Sequence, residues 1–150
     1  MELILWRHAE AEDGEPDHTR ALTGKGHKQA AKVAGWLDRN LPNSCKILVS
    51  PTKRTVQTVE ALERKFKTYS ELAPDTTAET ILKIANWPNN KEPVLIVGHQ
   101  PTLGHVASLL LTGIQQEWTI RKGNVWWFSQ RERGDITTTY VKAIVSPDLL

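Results

Sequence analysis

Two histidines in this chain stand directly after short apolar runs. Leu3-Ile4-Leu5-Trp6 stops at Arg7-His8, and Val94-Leu95-Ile96-Val97 stops at Gly98-His99. A third apolar run, Ile47-Leu48-Val49, leads through Ser50-Pro51-Thr52-Lys53 to Arg54. Arg presents planar paired donors that match phosphate oxygens, and a neutral imidazole nitrogen can attack phosphorus. A metal suits the set less well. His8 and His99 could ligate zinc, but the arginines oppose a cation, and no nearby Cys or clearly placed carboxylate completes the ligand set. These residue types together suggest the handling of a phosphoryl group, whose charge grows or spreads as it reacts.

The elements that must bring them together follow from the apolar pattern. Short, continuous apolar runs read as strands buried on both faces, in a parallel sheet covered by helices. In such a sheet, ligands bind in the crevice outside the carboxyl ends of the strands, where all three runs deliver their polar residues. Thr23 is placed to cap a helix whose buried stripe is Ala30, Val33, Ala34 and Leu37, closed by Pro42. Pro51 opens a second helix, supported by Val56, Val59, Ala61, Leu62 and Phe66, with Arg54 in its first turns. A cation there opposes the helix dipole unless an anion binds beside it. Thr76 or Thr77 caps a short helix over residues 79–85, and another follows over 102–111. The segments 123–129 and 136–145, rich in β-branched and aromatic residues, flank Arg133-Gly134-Asp135 and read as two antiparallel strands. Trp126 and Trp127 must then face opposite sides. The expected fold is α/β, a three-layer sandwich with a mostly parallel central sheet and antiparallel C-terminal strands, in one domain over residues 1–150.

Composition narrows the function classes. The formal charge of +2 arises from 19 basic and 17 acidic side chains mixed along the chain, with Arg64-Lys65-Phe66-Lys67 as the densest basic cluster. That distribution gives no concentrated footprint for nucleic acid. A lone Cys45 before the second strand allows no disulfide within the chain and reads as a buried thiol. The first residues lack the regions of a signal peptide, and no apolar run approaches the roughly 20 residues that span a bilayer. A soluble cytoplasmic protein is the expectation. His27, in a first helical turn, reads as a surface residue, and His105 as structural or at the solvent edge.

Four segments carry a specific resemblance. In order, Leu5-Trp6-Arg7-His8-Ala9, Leu22-Thr23-Gly24-Lys25-Gly26, the stretch from Ser50 to Thr58, and Val97-Gly98-His99-Gln100-Pro101 resemble the motifs of the histidine phosphatase superfamily. The short chain and the Arg-His-Ala form resemble its small bacterial phosphohistidine phosphatases of the SixA type. The broader superfamily commonly has Arg-His-Gly, so Ala9 asks for a backbone conformation that alanine can adopt. The resemblance implies that His8 attacks phosphorus to form a covalent phosphohistidine, that Arg7 and Arg54 bind the phosphoryl oxygens, and that His99 donates a hydrogen bond to them. Water then releases phosphate. It implies no metal and no cofactor. The implied substrate is phosphohistidine on a protein such as a histidine-containing phosphotransfer domain in signal transduction, with no nucleic acid or membrane partner.

The general acid stays open. Asp17, in the polar loop over residues 10–20, resembles an acidic loop residue of the SixA-type proteins, while Glu71 or Glu79 is nearest to the Glu of larger family members. The imidazole of a phosphohistidine leaves more readily than an alkoxide, which relaxes the need for a strong acid. Two alternatives accompany this expectation: a small-molecule phosphomonoesterase or mutase-like enzyme, and a non-catalytic phosphate-binding or interaction protein.

Overall fold

The computed structural model describes residues 1–150 and is built on one six-stranded mixed sheet. Strands β1 (Glu2–Arg7), β2 (Lys46–Val49), β3 (Lys67–Thr68), β4 (Val94–Gly98), β5 (Val125–Arg133) and β6 (Ile136–Val145) lie in the order β3-β2-β4-β1-β5-β6. The pairs among β1 to β4 are parallel, and β5 joins β1 and β6 antiparallel. The parallel core and antiparallel C-terminal strands match the expectation from the sequence.

The central strands are apolar throughout because helices cover both of their faces. Leu3, Leu5, Val94 and Ile96 pack on one side with Ala78 and Ile81 of α3 (Ala78–Ile84) and Leu103, Val106 and Ala107 of α4 (Thr102–Thr112). Ile4, Trp6, Leu95 and Val97 pack on the other with Val33, Ala34 and Leu37 of α1 (Gly24–Asn40) and Val59 of α2 (Lys53–Glu60). Burying each Val, Leu or Ile among them stabilises by roughly 1.5–3 kcal/mol, so these two layers hold the sheet. Caps set the helix starts: Thr23 Oγ1 accepts from the Gly26 N–H at 2.9 Å, and Thr77 Oγ1 from the Thr80 N–H at 3.2 Å.

The second helix is shorter than its apolar spacing suggested. It ends at Glu60, and Glu63 takes φ 55°, a left-handed conformation that breaks the helical path. The chain then adds β3 to the edge of β2, pairing Lys67 with Leu48 and Thr68 with Val49. Leu62 and Phe66 still pack into the layer beneath α1, so their spacing marked burial without marking helix. The tryptophans divide as the strand period requires. Trp127 meets Trp36 edge-on at 6.0 Å on the α1 face, while Trp126 lies 6.3 Å from Trp118 on the other. Cys45 is half-buried, and burial pushes its thiol up to about 11. His27 is exposed, and His105 bonds Glu117 at 2.7 Å. No helix is long and apolar enough to cross a membrane.

One feature of the topology creates the site. β1 and β4 are parallel neighbours with Arg7 level with Gly98, yet the chain leaves β1 for the α1 face and β4 for the α4 face. Connections diverging from adjacent parallel strands open a crevice at their carboxyl ends. The segment after β1 is held against α1 by close backbone approach. The Thr23 N–H donates to the Glu10 carbonyl at 3.0 Å, and a Cβ added at Gly26 would collide with that same carbonyl. Gly26→Ala is therefore expected to destabilise the fold by about 1–3 kcal/mol, read as a lower urea midpoint at unchanged m-value. An unchanged midpoint would show that the loop after β1 moves freely relative to α1.

Candidate active site

His8 and Ala9 continue from β1 under backbone control. The His8 N–H donates to the Gly98 carbonyl at 3.1 Å, and the Gly123 N–H donates to the His8 carbonyl at 3.0 Å. Ala9 is fully buried, its N–H bonds Thr58 Oγ1 at 3.0 Å, and it is not among the residues with positive φ, so alanine is accommodated there without strain. The His8 ring lies 2.7 Å through Nδ1 from the Ala9 carbonyl. A carbonyl oxygen only accepts, so Nδ1 carries the proton and Nε2 keeps its lone pair.

His99 follows β4 and places its ring 5.3 Å from that of His8, centroid to centroid. Its Nε2 bonds Ser50 Oγ at 2.8 Å, joining the end of β4 to the end of β2. Arg54 is 4% exposed, although it sits in the first turn of α2. Its Nη1 donates to the Asp17 carbonyl at 3.0 Å and its Nη2 to Asp17 Oδ2 at 3.1 Å. Arg7 Nη1 donates to the Ile120 carbonyl at 3.0 Å. Arg7, His8, Arg54 and His99 line one cavity of about 180 Å³, so the four residues delivered by three strand ends meet.

Burial sets the charge state of this cavity. It lowers His8 to about 4, against the opposing effect of the Ala9 bond, with Arg54 and then Arg7 adding smaller depressions. Burial, then His8 and Arg54, lowers His99 to about 3. Both imidazoles are neutral at physiological pH, beside guanidinium groups that remain charged. Three buried side-chain nitrogens lack a hydrogen-bond partner: Arg7 Nε, Arg54 Nε and His99 Nδ1. All three are on residues that line this cavity, and a buried donor without a partner costs about 1–3 kcal/mol. An anion with several acceptor oxygens satisfies such a set. No group of three or more His, Cys, Asp or Glu side chains is placed to hold a metal ion.

The acidic candidates fall elsewhere. Asp17 lies at the rim, bonded to Arg20 Nε at 3.0 Å as well as to Arg54. Slight burial works to raise its carboxyl, but the bonds from Arg20 and Arg54 hold it below the usual range. Glu71 is exposed, bonds Ser70 at 2.8 Å and does not line the cavity; Glu79 is exposed in the first turn of α3. From the segment between β3 and β4, only Pro74 reaches the cavity wall. Arg20 and Lys122 do line it, although sequence reasoning did not single them out. Both lie in irregular segments, where no periodicity marks a residue as facing a site.

The matches to known proteins agree with this geometry. Residues 3–80 match the model of the histidine phosphatase superfamily, branch 1. An uncharacterised protein of Mycobacterium tuberculosis strain H37Rv is 34% identical over 111 residues, covering 69% of this chain and 68% of that one. The phosphohistidine phosphatase SixA of Escherichia coli strain K12 is 27% identical over 122 residues, covering 75% of this chain and 76% of its own. Among solved structures, a putative phosphohistidine phosphatase SixA from Nakamurella multipartitia superposes with a TM-score of 0.76 at 25% identity, over 97% of this chain and 95% of that one. A family model spanning more than half the chain, together with a mixed α/β sheet that gathers Arg-His, Arg and His at its carboxyl edge, makes this protein a member of the histidine phosphatase superfamily.

Proposed function

We propose that the protein hydrolyses phosphohistidine on a protein substrate, by way of a covalent phosphohistidine on its own His8. The observation that carries this reading is the set of three unpartnered buried nitrogens, Arg7 Nε, Arg54 Nε and His99 Nδ1, around a neutral His8. In the first step His8 Nε2 attacks phosphorus as the bond from phosphorus to the substrate imidazole breaks, and a substrate ring already protonated on its other nitrogen takes the electron pair and departs as neutral imidazole. Water then attacks the phosphorus on His8, frees inorganic phosphate and restores the neutral ring. Arg7 and Arg54 stabilise the oxygens as their charge spreads. A Ser50 hydroxyl that donates to His99 Nε2 keeps the proton on Nδ1, which then donates to the phosphoryl group.

The choice of leaving group rests on the missing acid. None of the residues lining the cavity is a carboxylic acid, and Asp17 is ionised in its pair with Arg54 and Arg20. An alkoxide needs a proton as it departs, whereas an imidazole needs far less help. Asp17 therefore acts as a positioning residue. It holds both Nη groups of Arg54 and leaves Nε for the phosphoryl oxygens. The substrate in this reading is a histidine-containing phosphotransfer domain or similar signalling protein in the cytoplasm, with neither nucleic acid nor membrane as partner.

Acid-quenched labelling is expected to trap acid-labile phosphate on the wild-type enzyme, and His8→Ala is expected to abolish both label and turnover. Full turnover by a folded His8→Ala protein would refute the covalent step. Arg54→Ala removes a charged transition-state contact worth about 2–4 kcal/mol, a loss of roughly 30- to 1,000-fold in kcat/KM. Asp17→Asn keeps the backbone bond to Arg54 Nη1 and should retain phosphohistidine turnover within about tenfold, the size of one exposed charged contact. A loss as large as that of Arg54→Ala would return Asp17 to the chemistry itself.

Protonation links the site to stability. In the unfolded chain both histidines take up protons below their ordinary value of 6.5, but in the folded protein only near 4 for His8 and near 3 for His99. Between those limits the unfolded state binds more protons. Stability is therefore full above about pH 6.5 and is lost as pH falls toward 4. Urea midpoints measured across this window should fall less steeply for His99→Gln than for the wild type; equal slopes would mean that His99 is not held neutral by burial.

A further inference from the structure

Beside the phosphoryl cavity lies a second, larger one of about 470 Å³, and the two share Arg7 and Lys122. No hydrophobic residue lines it. Lys25 enters from the first turn of α1, and Arg121 and Lys122 from the segment before β5. Two carboxylates also face it, and both are engaged within the chain: Glu10 accepts from Thr23 Oγ1 at 2.8 Å, and Asp148 accepts from Ser146. Lys25, Arg121 and Lys122 take part in none of the ion pairs of the structure. With Arg7, four cations meet two carboxylates, an excess of positive charge directly beside the reaction site.

The basic character continues along α1. Lys25, Lys28 and Lys32 line the adjoining groove, and steps of three and four residues put them on one face of the helix. Seven residues of helix extend the strip by about 10 Å. A small phosphorylated metabolite fills the cavities and leaves that extension unused, whereas a protein surface covers all of it. Neither lining includes an aromatic ring on which a base could stack. A chain of net charge +2 has thus concentrated cations along one approach to its site.

We propose that this strip docks the carboxylate-rich protein surface bordering the substrate's phosphohistidine, and so selects among phosphorylated proteins. The inference rests on the phosphohistidine phosphatase reading above. Complementary charge at the rim of a site acts mainly on encounter and on orientation, and salt screens it. Asp148 sits within the same field, so the chain's own carboxylate competes with an incoming one.

The test uses two synthetic phosphohistidine peptides of equal length, one flanked by Glu and one by Gln, with phosphoramidate as a substrate too small to reach the strip. The wild type is expected to prefer the acidic peptide about tenfold in kcat/KM, through KM, and to lose the preference near about 0.5 M salt. The Lys25→Glu/Arg121→Glu double variant should abolish or invert the preference while hydrolysing phosphoramidate at the wild-type rate, which also reports that it is folded. Asp148→Asn should move the other way and lower KM for the acidic peptide. Equal rates on both peptides in the wild type, or a preference undiminished in the double variant, overturns the docking surface and leaves the phosphatase reading standing. Failure of the wild type on all three substrates overturns both.

Discussion

The structure depends on an imbalance of charge at one edge of its sheet. Arg7 and Arg54 bring guanidinium groups into a cavity that also buries two imidazoles, and the one carboxylate that reaches them, Asp17, pairs with Arg54 from the rim and leaves Arg7 without an acidic partner. Burial keeps His8 and His99 neutral, so the cavity gathers more donors and positive charge than the single Arg54–Asp17 pair balances. A stable fold can hold such an arrangement only if the cost is met elsewhere, and the two apolar layers around β1 and β4 meet it. The unpartnered nitrogens mark where a phosphoryl group would restore the balance.

Each site residue is supported by a part of the chain remote from it. Arg54 is held from the far side by Asp17 across 37 residues of sequence, and His99 by Ser50 across 49. The segment between α4 and β5 contributes most to Arg7. Its Ile120 carbonyl receives Nη1, and its Gly123 carbonyl receives Trp6 Nε1 at 3.2 Å one residue earlier on β1. Gly104 lets α4 approach that same segment, since a Cβ there would strike the Trp118 carbonyl. The cavity is therefore the product of the packed whole, and its side chains are ordered before any ligand arrives.

This support also shapes the chemistry. Because Asp17 is held by two arginines, its carboxyl stays below the usual carboxylate range at the rim of the cavity, which supports the positioning role proposed for it. Because the segment between β3 and β4 is consumed by short helices packed on α4, only Pro74 comes near the cavity. The site adjoins a basic groove, sharing Arg7 and Lys122 with it. A good leaving group on a large substrate suits both properties, and the same two features argue against enclosing a small phosphomonoester.

Much of this was legible before folding. The apolar runs around Leu5, Leu48 and Ile96 identified strands buried on both faces, because burial on a parallel sheet removes polar residues from consecutive positions. Their abrupt ends located Arg7, His8 and His99, and the capping pattern at Thr23 located α1, since both are local signals of a few residues. The end of α2 was misplaced because an apolar residue such as Phe66 is buried equally well from a helix or from the turn into an edge strand. Tertiary structure alone decided the rest: that Arg54 is buried against Asp17, that Ser50 orients His99, and that Arg20 and Lys122 reach the cavity. Those contacts join residues far apart in the chain, and their partners are chosen by the strand order β2-β4-β1 and the opposite exits from β1 and β4, neither of which any local pattern encodes.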